Sequence, residues 1–190
     1  MAGVFFFMII KQAHSDLELQ GILELQRLNL PQNISNIELQ EEGFVTVEHD
    51  FDLLKKMNDE LAASIAIDNN KVIGYSLAMS KKFSDDIPVL IPMFELIDSL
   101  DYKDHLLGEI EYIIGGQVCI DKAYRSRGIF YKLYDKSKKH YSDRFPVMLT
   151  EVSKRNPRSI KAHLNLGFES IHEYETDQDK WVIMAWNWSL

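Results

Sequence analysis

The residues whose spacing could do chemistry lie between Val118 and Tyr131 (VCIDKAYRSRGIFY). The run reads as a strand, a basic loop with one glycine, and the start of a helix. The first turn of a helix carries backbone N–H groups without intrahelical partners and the positive end of the helix dipole. Together these make an anion site, and successive loop amides can form a nest for phosphate oxygens. Between Asp121 and Arg144 stand eight basic and three acidic residues, a local balance of +5 in a chain of net charge −8. A cationic island in an acidic protein suits an anionic ligand, and a solvated basic helix face would give the same count. Cys119, the single cysteine, sits in a strand pattern that predicts burial. A buried apolar thiol is a poor nucleophile, so covalent catalysis through it is not expected. His14, His49, His105, His140 and His172 are scattered without ligand spacing, and no metal is expected.

A sheet with flanking helices must hold that loop. Val4–Lys11 reads as the first strand. Its apolar run Ala2–Ile10 is about half of a spanning helix and lacks the basic flank and cleavage site of a signal peptide. Ser15-Asp16-Leu17-Glu18 has the form of a capping box, predicting a helix that stops before Pro31. A short helix is expected over Ser35–Glu42, ending at Gly43. Asp50 can cap another, with Leu53, Leu54, Met57 and Leu61 on one side. Ala63–Ile67 and Lys71–Ser80 read as a hairpin across Asp68-Asn69-Asn70, and Ile87–Leu100 as a loop leading into a helix. Glu109–Ile120 is a long strand pattern, and its paired Gly115-Gly116 suggests a bulge or a close backbone approach. Gly128–Tyr141 has helical spacing, Pro146–Val152 reads as a strand, and Asn156–Leu166 as a helix stopped by Gly167. Phe168–Glu175 and Trp181–Trp188 are strands around the turn Thr176–Lys180. Strands alternating with helices predict a mixed α/β sheet with helices on its faces. Trp181, Trp186 and Trp188 read as core or interface. The aromatic last strand is expected to offer an edge through which a homodimer could form.

The chain has 190 residues and 22.1 kDa, so 1–190 is expected to be a single domain. With 46% hydrophobic and 26% charged residues, disordered, collagenous and low-complexity classes are excluded. The acidic balance argues against nucleic acid as a partner, and no membrane segment is expected. One cysteine favours a reducing compartment, hence a cytoplasmic location.

At these residues the chain resembles a known family. Arg125-Ser126-Arg127-Gly128-Ile129-Phe130 resembles the Gln/Arg-x-x-Gly-x-Gly/Ala signature of the GCN5-related N-acetyltransferase (GNAT) superfamily. Asn156–Phe168 (NPRSIKAHLNLGF) is similar to its second motif, in which an Asn opens a helix that ends in Leu-Gly-Phe. The resemblance implies a GNAT-type fold, a central mixed twisted sheet of six to seven strands splayed between the fourth and fifth, with helices on both faces. It implies acetyl-CoA as acyl donor. The pyrophosphate would sit on the amides of Arg125, Ser126, Arg127, Gly128, Ile129 and Phe130. The pantetheine arm would pair with Val118, Cys119 and Ile120 in the gap to Pro146–Val152, near Asn156 and Ser159. Two positions depart from the family pattern. Phe130 stands where Gly or Ala is usual, and His163 where many members have Tyr. A backbone amide survives any side chain, so Phe130 is compatible with phosphate binding when its ring turns to the core.

The reaction this implies is acetyl transfer from acetyl-CoA to a primary amine, expected to be a small molecule. The alternative is a catalytically silent acyl-CoA-binding module that senses the donor or regulates a partner. An amine of pKa near ~10.4 must lose a proton before attack, and a thiolate leaving group of pKa near ~8.5 needs a proton donor. His163, titrating near neutrality, is the expected donor. Glu111 is the expected general base, with Glu109 and Glu151 as alternatives. The acceptor is expected against Leu28–Asp52 and Phe83–His105, whose acidic surplus suits a cationic amine. Met93, Phe94 and Tyr102 would either line its pocket or pack the core.

Overall fold

The computed structural model describes residues 8–190 except 42, 46, 85 and 178. Seven strands form one sheet: β1 (Ile9–Gln12), β2 (Ser64–Asp68), β3 (Lys71–Met79), β4 (Tyr112–Ile120), β5 (Val147–Ser153), β6 (Glu169–Glu175) and β7 (Lys180–Asn187). Their order is β1-β2-β3-β4-β5-β7-β6. β4 and β5 are parallel, and the other neighbours among the described residues are antiparallel. The helices are α1 (Asp16–Leu28), α2 (Asn36–Glu41), α3 (Phe51–Glu60), α4 (Ile91–Asp98), α5 (Ile129–Tyr141) and α6 (Pro157–Leu166).

Local chemistry explains these boundaries. The Ser15 hydroxyl accepts from the Glu18 amide while the Glu18 carboxylate accepts from the Ser15 amide, so the capping box closes both ways. Asp50 caps α3 by accepting from Leu53 N at 2.8 Å. Asn69 and Asn70 take left-handed conformations (φ 48° and 63°), which turns β2 into β3.

Side chains alternate across the sheet and meet a different helix on each face. Ile65, Tyr75 and Leu77 pack with Leu19 and Ile22 of α1 and Leu54 of α3. Ala66 and Ile73 point the other way, to Ile129 and Leu133 of α5. Further along, Tyr112 and Ile114 meet Phe94 and Ile97 of α4, and Ile113 meets Tyr134 of α5.

Two expectations are corrected, those for the start of the central strand and for the place of the last one. Of the expected strand Val4–Lys11, Val4–Phe7 lies outside the described residues, and the first strand among those described is Ile9–Gln12. The long central strand begins at Tyr112, because Leu107–Glu109 forms a 3-10 turn. The aromatic last strand is not an edge: β7 lies between β5 and β6, so both its ladders are occupied. It therefore cannot pair with a second copy as the homodimer expectation required. Met93, Phe94 and Tyr102 take the second of their two expected places, buried in the core beside α4. One small feature was not predicted, a two-stranded ladder of Asp101–Tyr102 with His105–Leu106. Its turn residues Lys103 and Asp104 are left-handed (φ 50° and 66°).

Candidate active site

The splay that positions the site is a failure of pairing. β4 and β5 hydrogen-bond only over Tyr112–Ile114 and Val147–Leu149. Beyond that, β4 stays with β3 to Ile120, and β5 stays with β7 to Ser153. The two strands part at Gly115 and Thr150, where Thr150 Oγ1 donates to the Gly115 carbonyl at 2.8 Å. Pairing with β3 shifts register at this point, with Leu77 opposite Gln117 and Ala78 opposite Gly115, so Gly116 is bulged out.

A cavity of about 450 Å³ runs from this splay to the basic loop. Its walls are Val118 and Ile120 of β4, Arg125 and Ser126 of the loop, Phe130 of α5, and Asn156 and Ser159 at the start of α6. Gly43, Phe44 and Val45, between α2 and α3, strap its near side. Gly43 is left-handed (φ 80°), and a Cβ there would stand 2.9 Å from Asn156 Oδ1, so a larger residue would push into the cap of α6. Glu38 of α2 pairs with Lys122, joining the strap to the loop.

The loop is built as an anion cradle. Ser126 and Gly128 both have positive φ (62° and 73°), the alternation that turns successive amides to one side. Gly128 opens α5 with no side-chain cap, so the first-turn N–H groups keep their capacity for a ligand. Arg125 holds the loop from behind: Nε donates to Ile120 O at 3.1 Å and Nη2 to Asn29 Oδ1 at 2.9 Å. Arg127 lies over the Tyr124 ring and Ile129 is buried in the core. What Gly128 and Ile129 can offer a ligand is therefore main chain, and exposed Arg127 adds a guanidinium beside it. Phe130 turns inward against Tyr134 and His163, with ring centroids 4.8 and 5.1 Å away, and forms a wall of the cavity without closing it.

No family model and no curated protein matches the chain in sequence. Solved structures match along nearly its whole length. Ribosomal-protein-S18-alanine N-acetyltransferase from Escherichia coli aligns with a TM-score of 0.63 over 97% of this chain and 96% of its own, at 12% identity. An acetyltransferase of the GNAT family from Streptococcus agalactiae 2603 aligns at 0.61 over 97% and 98%, at 14% identity. The fold is the GNAT fold. Arabidopsis thaliana Naa50, in complex with the bisubstrate analogue CoA-Ac-MVNAL, has it too, at 0.63 over 95% and 98% and 11% identity.

Within this GNAT fold a narrower space of about 70 Å³ continues the cavity at the apex of the splay, walled by Gly116, Tyr134, Glu151, His163 and Trp181. Glu151 is mostly buried, which raises its carboxyl above the usual range, and it accepts a hydrogen bond from the Tyr174 hydroxyl. Glu111 is not here. It is exposed at the closed end of the splay, beside Lys81, Lys82 and Arg144. It lies seven positions before Val118, a span of about 23 Å along an extended chain. Glu109 is likewise exposed, in the turn before β4. Of the three carboxylates considered, only Glu151 lines the site.

His163 lines the site with both ring nitrogens engaged by the protein. The ring is 2% exposed. Nδ1 lies 2.8 Å from the Ser159 carbonyl and Nε2 lies 2.7 Å from the Tyr134 hydroxyl. Burial pushes its pKa down to about 4, so it is neutral at pH 7. The expected direct proton donation from His163 is therefore corrected, since both nitrogens are engaged by the protein. Cys119 turns into the core under α1, where burial raises its thiol to about 12, as a non-nucleophilic role requires.

Sequence reasoning missed three participants. Tyr134 falls four residues after Phe130, on the same face of α5, a spacing that could have marked it. Gly43 carried no signal beyond being a glycine. The third is a polar cluster beneath the strap. The Gln117 carbonyl oxygen accepts from Gln26 (2.7 Å) and Tyr75 (2.6 Å), and its amide donates to Val47 O (2.8 Å). Gln26 also donates to His49 Nδ1 at 2.9 Å. Nothing in the spacing of these residues announces that they meet. Among the described residues no cluster of His, Cys, Asp and Glu could hold a metal ion.

Proposed function

We propose that the chain is an acetyl-CoA-dependent N-acetyltransferase of the GNAT superfamily, acting as one catalytic domain on a small primary amine in the cytoplasm. The observation that carries this reading is the uncapped start of α5, preceded by left-handed Ser126 and Gly128 and opening into a cavity that runs to the splay. Amides from Arg125 to Phe130 would take the diphosphate, Val118 to Ile120 would pair with the pantetheine arm, and Asn156 and Ser159 would border it. When bound, the donor supplies an activated acetyl thioester at the apex. There Glu151 would attract the acceptor's ammonium and take its first proton, for which its raised pKa makes it a better base than an ordinary carboxylate.

A polypeptide N-terminus is the second reading for the acceptor. It is favoured by the S18-alanine N-acetyltransferase and Naa50, both of which align over at least 95% of this chain. One experiment separates the readings: calorimetry with CoA, followed by thiol release from acetyl-CoA against spermidine, an aminoglycoside and peptides beginning with alanine or methionine. Turnover of spermidine or the aminoglycoside supports the small-amine reading, and turnover of peptides alone replaces it. CoA binding without turnover of any acceptor would leave a silent CoA-binding module. No CoA binding would end the proposal.

A further inference from the structure

The hydrogen-bond direction between Tyr134 and His163 is fixed by a third group. The Ser159 carbonyl can only accept, so His163 Nδ1 carries the hydrogen at that 2.8 Å contact. A neutral imidazole protonated on Nδ1 has its lone pair on Nε2. The Tyr134 hydroxyl, 2.7 Å away, must therefore donate to it. This is the hydroxyl's hydrogen bond among the described residues, so its lone pairs remain available. Its oxygen stands 3.6 Å from where a Cβ on Gly115 would be, at the apex where β4 and β5 part. The only carboxylate lining that apex, among the described residues, is Glu151 of β5. Tyr134, itself buried, thus lines the apex with a phenol oxygen whose lone pairs are unused, backed by an imidazole nitrogen that accepts the phenol's hydrogen bond.

We infer that Tyr134 and His163 form a proton relay between the acceptor nitrogen and the thioester sulfur, with Tyr134 as the catalytic residue and His163 as the positioning residue behind it. The inference rests on the acetyl-transfer reading. Glu151 takes the first proton, which turns the ammonium into an amine, and passes it to solvent. As the C–N bond forms, the nitrogen's second proton moves to Tyr134 Oη while the phenol proton moves to His163 Nε2. As the C–S bond breaks, Tyr134 gives its proton to the sulfur and His163 returns one to Tyr134. The products are the amide and CoA thiol, both side chains end as they began, and one proton is released. Burial disfavours the imidazolium, which makes it quick to return the proton.

The test uses the full chain in two arms. In the first, ¹⁵N NMR of histidine-labelled protein, with His163 assigned by loss of its signals in His163→Gln, is expected to show neutral imidazole protonated on Nδ1 from pH 5.5 to 8. An Nε2-protonated tautomer would overturn the relay without any turnover being measured. In the second, kcat is measured with saturating acetyl-CoA and the better acceptor of spermidine and an alanine-starting peptide. Tyr134→Phe and His163→Gln are each expected to lower kcat by about 10²-fold, with KM and the CoA dissociation constant within about threefold. The double variant is expected to lose little more than either single one, because the pair acts as a unit. Folding of each variant is checked by its melting curve and CoA titration. If kcat stays within threefold in either variant, the relay is wrong while the acetyl-transfer reading stands. A wild type that turns over none of spermidine, the aminoglycoside and the alanine- and methionine-starting peptides removes both.

Discussion

At the scale of single residues, the site depends on placing groups whose protonation differs from their free behaviour. Glu151 is the clearest case: burial raises its pKa and Tyr174 only partly offsets this. A carboxyl must be ionised to take a proton, so kcat/KM is expected to fall on acidification with a midpoint above the ordinary glutamate value of about 4.3. Glu151→Gln should remove that acid limb and lower kcat by about 10²-fold, measured against spermidine or the alanine-starting peptide. An unchanged limb in the variant would assign the titration elsewhere. Phe130 and His163, the two departures from the motif pattern, touch each other, and Tyr134 touches both. The hydroxyl facing the apex thus comes from α5, while the residue at 163 serves as its acceptor.

At the scale of elements, the caps and turns were legible because their chemistry is local. Ser15 with Glu18, Asp50 with Leu53, and Asn156 with Ser159 each close a helix within three or four residues. Removing the first by Ser15→Ala should cost about 1 kcal/mol in urea denaturation and leave CoA affinity unchanged, since α1 begins far from the cavity. A loss of CoA affinity would show that α1 transmits to the strap. The basic loop and Gly115-Gly116 were legible for the same reason. What could not be read is long-range. That Glu111 would fall at the closed end of the splay follows from where β4 and β5 stop pairing, which no local pattern encodes. The interior place of β7 is a matter of sheet order, and an aromatic run looks alike at an edge and in the middle. Gln117 gathers Gln26, Tyr75 and Val47 from positions 42 to 91 residues away.

At the scale of the whole molecule, two buried histidines link stability to pH. Burial lowers both His49 and His163 from 6.5 to about 4. Between these values the unfolded chain binds protons that the native one excludes, so stability falls as pH drops from about 6.5 toward 4. Glu151, raised by burial, acts in the opposite sense, stabilising on acidification through its own titration, against the two histidines and the carboxylates of Glu18, Glu38, Asp121 and Asp179, which are held below their usual values. The melting temperature should therefore decline from pH 7 to pH 4.5, and His49→Gln should flatten part of that decline. A melting temperature that rises over this range would contradict the burial of these rings.

Catalysis as proposed depends on main-chain nitrogens from Arg125 to Phe130 gripping a diphosphate at the start of α5. Calorimetry with CoA and with pantetheine, which lacks the diphosphate, tests it most directly. One CoA per chain is expected, with a dissociation constant on the order of micromolar, about −8 kcal/mol, and pantetheine is expected to bind at least about 100-fold more weakly. Equal affinity for the two, or no heat with CoA, would contradict it.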